Sequence, residues 1–512
     1  MIGRRAVPSR PVPTIRSALR TLLVATAAVV VASVAALVMD RMAVGPAQLV
    51  PAVAAVVVAG LFWFRPVEGL LAFGLFALFA DTVEHWLAVD VLLFDELGLL
   101  ALIAAAVGAG RVATSRVRFG WLELSVIVLA LAGIGSSLLN GVPLQTWVPG
   151  LFLLLKGILF FALVRLMPLT EADVERLGVA LLVVAAVIGL SGFVEWLDPV
   201  AFQSALGLPI YEQARGGVPI VKSVFLHPAQ FGWLTAFGSL ICYARFVTHR
   251  SWWTIPSALV LNVGTFLSGR RTPLLGVVAA VGVGLAWWTS RVGLRRALLR
   301  IWLPAAGVAL IGAFVLAPSI RQLALVTGFE YGPSMELVDE IFAEAPRSEV
   351  LAGIHPRVGL YAASVAIARD ELPLGAGLGR FGSHMARTDY SPVYERYGLD
   401  QVRLLGPSDP SAATDAFWPM VLGETGLVGA VAAIVFFGGM AVLLWRAASN
   451  AVSARLRTIL LAALFVAVEG LIRSATSSVY VAPPIAYFVL GSAGAALAAA
   501  ATASETTLIA ES

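Results

Sequence analysis

The sequence predicts an all-α polytopic membrane protein with about 12–14 transmembrane helices and one large, mostly helical extracytoplasmic loop. Three observations carry this expectation. A hydrophobic share of 59%, only 13% charged residues and a mean hydropathy of +0.90 exclude a soluble globular protein. Apolar runs long enough to cross a bilayer recur along the chain, and lipid forces such runs to be helical because it cannot satisfy free backbone groups. Pro318 to Ala416 is the only long polar segment. Its 99 residues hold 13 of the 31 acids and 8 of the 33 arginines, the 35 basic residues less Lys156 and Lys222.

Residues 1–20 form a basic N-terminus with Arg4, Arg5, Arg10, Arg16 and Arg20. The apolar run 21–39 that follows is longer than a usual signal core and precedes further spans, so it reads as an uncleaved first helix. The remaining candidate spans are 45–64, 67–80, 91–110, 121–139, 148–165, 177–197, 228–245, 252–268, 272–290, 300–317, 417–445, 457–473 and 480–503. The run 67–80 is short enough for a re-entrant segment. The domain plan is therefore transmembrane helices over 21–317, the loop over 318–416, helices over 417–503 and a tail over 504–512.

Arginine bias sets the expected orientation. With the N-terminus inside, 20 arginines fall on cytoplasmic ends, the loop lies outside and, for an even span count, the C-terminus is cytoplasmic. Arg41, Arg215, Arg270, Arg271 and Arg473 are exceptions on the outer side. The small net charge of +4 is spread along the chain, so no nucleic-acid surface is expected. The single cysteine, Cys242, excludes an intrachain disulfide.

Within the loop, Pro356 opens RVGLYAASVAIARDEL, a helix stopped near Pro373, and a glycine-rich turn, PLGAGLGRFG, follows. The turn contains GxGxxG at 377–382, yet it follows a helix and a proline instead of a strand. A dinucleotide site is rejected; the glycines let the backbone bend close to the membrane surface.

Arg270 and Arg271 form the first chemical constellation. Paired guanidiniums at an outer helix end, beside Ser268 and Gly269, suit a pyrophosphate, which a planar fork binds through two oxygens. The competing reading is interfacial snorkelling. Arg357, at a helix start, and Arg380, in the glycine turn, are the best placed of the loop arginines. A transfer to a hydroxyl also needs a general base, for which Asp415, Asp409, Glu424, His384, His355 and His227 are candidates. Asp415 sits where the loop meets the membrane, and it equally reads as a helix N-cap. Lys156, in the middle of a span, reads either as a structural charge with Glu195 or Glu469 as partner or as a contact for a lipid pyrophosphate; Glu469 can instead pair with Arg473 one turn on. No spacing suggests a bound metal, and no cofactor is expected.

Three stretches together resemble the O-antigen ligase and polysaccharide polymerase family: FLHPAQFGWL; TFLSGRRTPLLG; and HPRVGLYAASVAIARDELPLGAGLGRFG with TDAFWPMVLGETGLVG. The resemblance covers about residues 220 to 440 and lies in the order and spacing of the motifs around one large outer loop. It implies a metal-independent membrane glycosyltransferase of the bacterial inner membrane, taking glycan from an undecaprenyl-pyrophosphate donor on the outer face. Its partners would be that lipid-linked glycan, membrane lipid and other polysaccharide-assembly proteins. Carried over to this chain, Arg271 matches the helix-end arginine and Arg357 the loop arginine, both stabilising the departing pyrophosphate. Arg270, Arg380, His227, Glu424 and His384 would complete the substrate site. One departure stands out: where ligases carry histidine, commonly His-Asn, this chain has Thr414-Asp415. Asp415 as base leans towards polymerisation of lipid-linked repeats over ligation to lipid or protein. A transporter of lipid-linked sugars is the rival outside this class.

Overall fold

A computed structural model describes residues 49–87, 94–110, 120–210, 214–215, 218–292 and 355–511. The candidate spans 21–39 and 300–317, and the loop up to residue 354, lie outside them. The regular structure of the described chain is helical, apart from a two-residue antiparallel ladder pairing Ala214–Arg215 with Val218–Pro219 and an isolated bridge between Gly406 and Asp409.

The long helices are α1 (Leu49–Phe64), α2 (Pro66–Leu87), α3 (Phe94–Gly108), α4 (Trp121–Leu139), α5 (Leu144–Leu166), α6 (Glu171–Leu197), α8 (Pro228–His249), α9 (Thr254–Leu267), α10 (Arg271–Val292), α14 (Phe417–Asn450), α15 (Ala454–Ser474) and α16 (Ile485–Glu511). A short α7 (Pro199–Ala205) follows α6, and the loop contributes α11 (Pro356–Asp370), α12 (His384–Thr388) and α13 (Val393–Arg396). Each of the twelve candidate spans that falls on described residues is a helix. Seven are long and apolar enough to cross a membrane, namely α2, α4, α5, α6, α10, α14 and α16.

The other five are helices that fall short of that length or hydropathy, so seven of the expected spans are shown among the described residues. The physical reason is visible in α8 and α15, which lie among other helices and bury polar side chains: Gln230, Thr235 and Ser239 on one, Glu469, Arg473 and Ser474 on the other. A helix wrapped by protein need not be apolar all round. The short run 67–80 is corrected. It continues through Asp81–Leu87 to a helix of 22 residues, because its polar end is bound by neighbours. Asp81 accepts from Gln230 (2.7 Å), the Thr82 hydroxyl donates to Val224 O (3.1 Å) and the Trp86 indole donates to Leu206 O (2.9 Å).

Polar chemistry gathers at the two ends of the bundle. At one end, Glu175 meets Arg455 (2.8 Å) and Arg245 (4.0 Å), Arg165 meets Glu123 (2.6 Å), and Ser453 donates to Glu171 (2.8 Å). Thr170 and Asp173 close a capping box on α6, and Ser453 caps α15. At the other end lie the N-termini of α8, α10 and α14 and the C-terminus of α15, together with the described part of the loop.

That part of the loop, from α11 to Ala416, is a small lobe with its own apolar centre, including Leu360, Ile367, Phe381, Tyr394 and Leu405. Its glycine turn is keyed into the bundle. Gly375 O accepts from the Ser136 hydroxyl and from Asn140 (2.9 Å), Leu378 N–H donates to Ser137 Oγ (2.9 Å), and Ala376 N–H donates to Gly423 O (2.8 Å). Gly426 holds φ +65 inside α14, where a Cβ would stand 2.5 Å from Pro373 O and 2.6 Å from Gly375 N. Only glycine allows this backbone-to-backbone approach.

Candidate active site

Two His-Pro corners frame the site. His355 and His227 each precede a helix whose first residue is proline, and each uses Nδ1 to accept a backbone N–H, from Arg357 (3.3 Å) and Ala229 (3.2 Å) respectively. Proline at N1 has no N–H to satisfy, so the histidine caps the next donor.

The first corner carries Arg357 into contact with Asp415, Nη2 to Oδ2 at 3.1 Å. Both side chains are partly open, at 34% and 41% exposure, so the pair is reachable by a solute. Asp415 is not the N-cap of α14; that position is Ala416, without a side-chain cap. Burial, then the Arg357 charge, push the His355 pKa below its ordinary value, and Asp415 opposes the shift.

At the second corner, Arg270 Nη2 lies 3.0 Å from His227 Nε2. His227 is pushed down to about 4, first by partial burial, although the residue keeps an exposed surface, then by the Arg270 and Arg473 charges. Both ring nitrogens face donors, and a neutral imidazole has one acceptor nitrogen, so it cannot satisfy both. Arg271 begins α10 directly beside this corner, and the helix N-termini of α8 and α10 add partial positive charge. Arg473, 4% exposed and 3.6 Å from Glu469, completes the group. The sequence showed Arg473 as a breach of the charge rule and as a partner for Glu469 one turn away, the pairing seen here; its place beside His227 and Arg270 required the fold.

Glu424 belongs to a third group. It is 2% exposed, and its carboxylate accepts the Phe381 N–H (3.1 Å), the neighbouring amides of Gly379 and Arg380, and the Ser383 side chain. The glycine turn, with positive φ at Gly377, Gly379 and Gly382, wraps this carboxylate as a backbone nest. Glu424 is thus placed to tie the lobe to α14. Arg380 supplies a backbone amide to that nest, and its side chain is half-buried. His384 is exposed at the start of α12, the helix that Ser383 caps; burial and the Arg387 charge lower its pKa. Asp409 is exposed in a turn closed by its own N–H to Gly406 O (3.1 Å).

Lys156 finds neither expected partner. Its ammonium lies 2.7 Å from Asp95 and 2.8 Å from Glu96, and Tyr487 donates to Asp95 (2.9 Å). Glu195 instead accepts from Gln203 (2.6 Å) and from the backbone of Lys222 (3.0 Å) and Ser223.

The connection between α15 and α16 joins the two corners. Trp418 donates to Ser474 Oγ (2.8 Å), Tyr361 of α11 donates to Ala475 O (2.9 Å), Thr476 bonds Thr272 of α10 (3.0 Å), and Ser478 donates to Thr414 O. Nothing in the sequence RSATSSVY marked this role. Among the described residues, no group of three or more His, Cys, Asp or Glu side chains is disposed to hold a metal ion. Arginines with an adjacent carboxylate, at one end of a helical bundle, can hold a polyanion and accept a proton from a hydroxyl. No protein-family model matches the chain, and no curated protein matches it.

Proposed function

We propose that this chain is a membrane glycosyltransferase that polymerises lipid-linked oligosaccharide repeats on the outer face of the cytoplasmic membrane. The observation that carries the reading is the open Arg357–Asp415 pair, held on the same end of the bundle as Arg270, Arg271 and His227. The described arginines Arg65, Arg165, Arg245, Arg250, Arg291, Arg446, Arg455 and Arg457 lie towards the other end, which the charge rule assigns to the cytoplasm. The resemblance to O-antigen ligases and polysaccharide polymerases supplies the substrate class, an undecaprenyl-pyrophosphate-linked glycan.

In the proposed reaction, pyrophosphate binding draws Arg357 away from Asp415. The freed carboxylate takes the proton of an acceptor sugar hydroxyl, whose oxygen attacks the anomeric carbon of the donor glycan. The bond from that carbon to the pyrophosphate oxygen breaks, its electron pair leaves with the lipid pyrophosphate, and Arg271 and Arg357 hold the charge that develops. Arg270 orients the donor, and His227, neutral near pH 7, leaves the site's positive charge to the arginines. Glu424 fixes the lobe that carries Arg380 and His384 along the path of the sugar.

The test is glycan length in cells lacking the protein and complemented with wild type, Arg271→Ala, Arg357→Ala or Asp415→Ala at matched protein levels. Single repeats in the null and variant strains, with long chains restored by wild type, are expected. Long chains accumulating on the lipid carrier in the null strain would replace polymerisation by ligation. Repeats trapped on the inner face would overturn the enzyme reading in favour of transport.

A further inference from the structure

A cavity of about 840 Å³ opens in the bundle at the end away from the candidate site, between α6, α8, α9, α15 and α16, with α2 and α5 behind. Its walls are apolar. On α6 its lining runs from Val174 to Leu190, 16 residues apart, or about 24 Å at 1.5 Å per residue, a large part of a hydrocarbon core of about 30 Å. Gly178 helps keep it open: a Cβ there would meet nothing within 4 Å.

The mouth is of different character. Arg245, Arg455, Glu175, His249, Thr254 and Thr458 line it, and burial and the Arg245 charge disfavour the charged form of His249. Glu175 takes Arg455 at 2.8 Å and Arg245 at 4.0 Å, so two cations share one carboxylate and one positive charge is in excess. The N-termini of α6, α9 and α15 lie at this end and add partial positive charge. An apolar slot with a singly positive, hydroxyl-bearing mouth matches a molecule with a long hydrocarbon tail and one phosphodiester. The chain's own apolar stretches outside the described residues, 21–39 and 300–317, contain no acidic residue to meet that mouth.

We infer that this cavity is a binding site for an anionic glycerophospholipid from the leaflet opposite the candidate active site, its acyl chain between α6, α8 and α15 and its phosphate at Arg245 and Arg455. The inference is independent of the glycosyl-transfer reading.

Native mass spectrometry of the purified full chain, titrated with phosphatidylglycerol or phosphatidylcholine, tests it. Wild type should retain phosphatidylglycerol in preference to phosphatidylcholine. Arg245→Gln and Arg455→Gln should each weaken phosphatidylglycerol about fivefold, the contribution expected of one arginine near a membrane surface. Gly178→Phe, which fills the slot without a clash at Cβ, should remove the bound lipid while the protein stays folded. Equal retention of the two lipids by wild type would overturn the site, as would undiminished phosphatidylglycerol binding by folded Gly178→Phe. The readout is binding, so either result leaves the proposed activity to be judged separately.

Discussion

Lys156 and Arg357 are both cations set against carboxylates, and the two sites differ in what surrounds them. Lys156 is 3% exposed in the middle of α5 and is closed on by Asp95, Glu96 and, through Asp95, Tyr487. Arg357 meets one carboxylate at a half-open surface. A buried charge set must be satisfied from within, because the cost of leaving one member alone is that of an unpaired ion in low dielectric. A half-open pair is held weakly, and a ligand of higher charge can exchange into it. The comparison teaches that the more conspicuous charge in the sequence, a lysine in mid-membrane, is the better candidate for holding the fold, and the less conspicuous one for chemistry.

Four measurements put that contrast at risk. The largest effect is expected from Lys156→Met, which strands Asp95 and Glu96 together: a loss of about 3–5 kcal/mol, seen as a collapse of the unfolding midpoint of the purified protein. A midpoint within a degree or two of wild type would dissolve the distinction. Arg357→Ala should do the reverse, with stability changed by under about 1 kcal/mol and glycan polymerisation reduced about 10²–10³-fold. An unfolding loss comparable to that of Lys156→Met would move Arg357 into the structural class.

Gly426→Ala ranks third. It forces a side chain onto a backbone with φ +65 and against Pro373 O and Gly375 N, at a cost of about 1–3 kcal/mol, and limited proteolysis should then cut the lobe before the bundle. The smallest effect concerns His227. Its folded pKa of about 4 lies below the ordinary 6.5, so the unfolded chain binds more protons between those values. Its contribution to stability is fully present above about pH 6.5 and is lost as pH falls towards about 4. His227→Gln should flatten the pH dependence of the unfolding midpoint in that window, and an unchanged slope there would show that the ring is not held neutral.

Much of this could be read from the sequence, for reasons that also explain where reading failed. Apolar runs locate the helices because lipid and core demand the same side chains, and Pro356 and the glycines after it mark α11 and its turn through fixed backbone geometry. The partners of Lys156 were missed because Asp95 and Glu96, at the start of a span, look interfacial until α3 is docked against α5. Glu424 reads as an outer carboxylate facing substrate, whereas its acceptor oxygens are taken by amides 43 to 45 residues away. Backbone donors have no letter in a sequence. Arg473 was visible as a misplaced charge and as the i+4 partner of Glu469, but its closeness to His227 depends on how α15 and α8 cross.

The α15–α16 connection has a mechanical consequence. Within five residues, Ser474 to Ser478, it is bonded to α14, α11, α10 and the segment ending in Asp415. It forms a continuous bonded path between the corner that bears Arg357 and the one that bears Arg270 and Arg271. Tyr361 holds Ala475 from the lobe side, and Thr476 holds Thr272 from the bundle side. The spacing of the two arginine-bearing corners is therefore set by one short connection, and a change in its five residues would reach both corners.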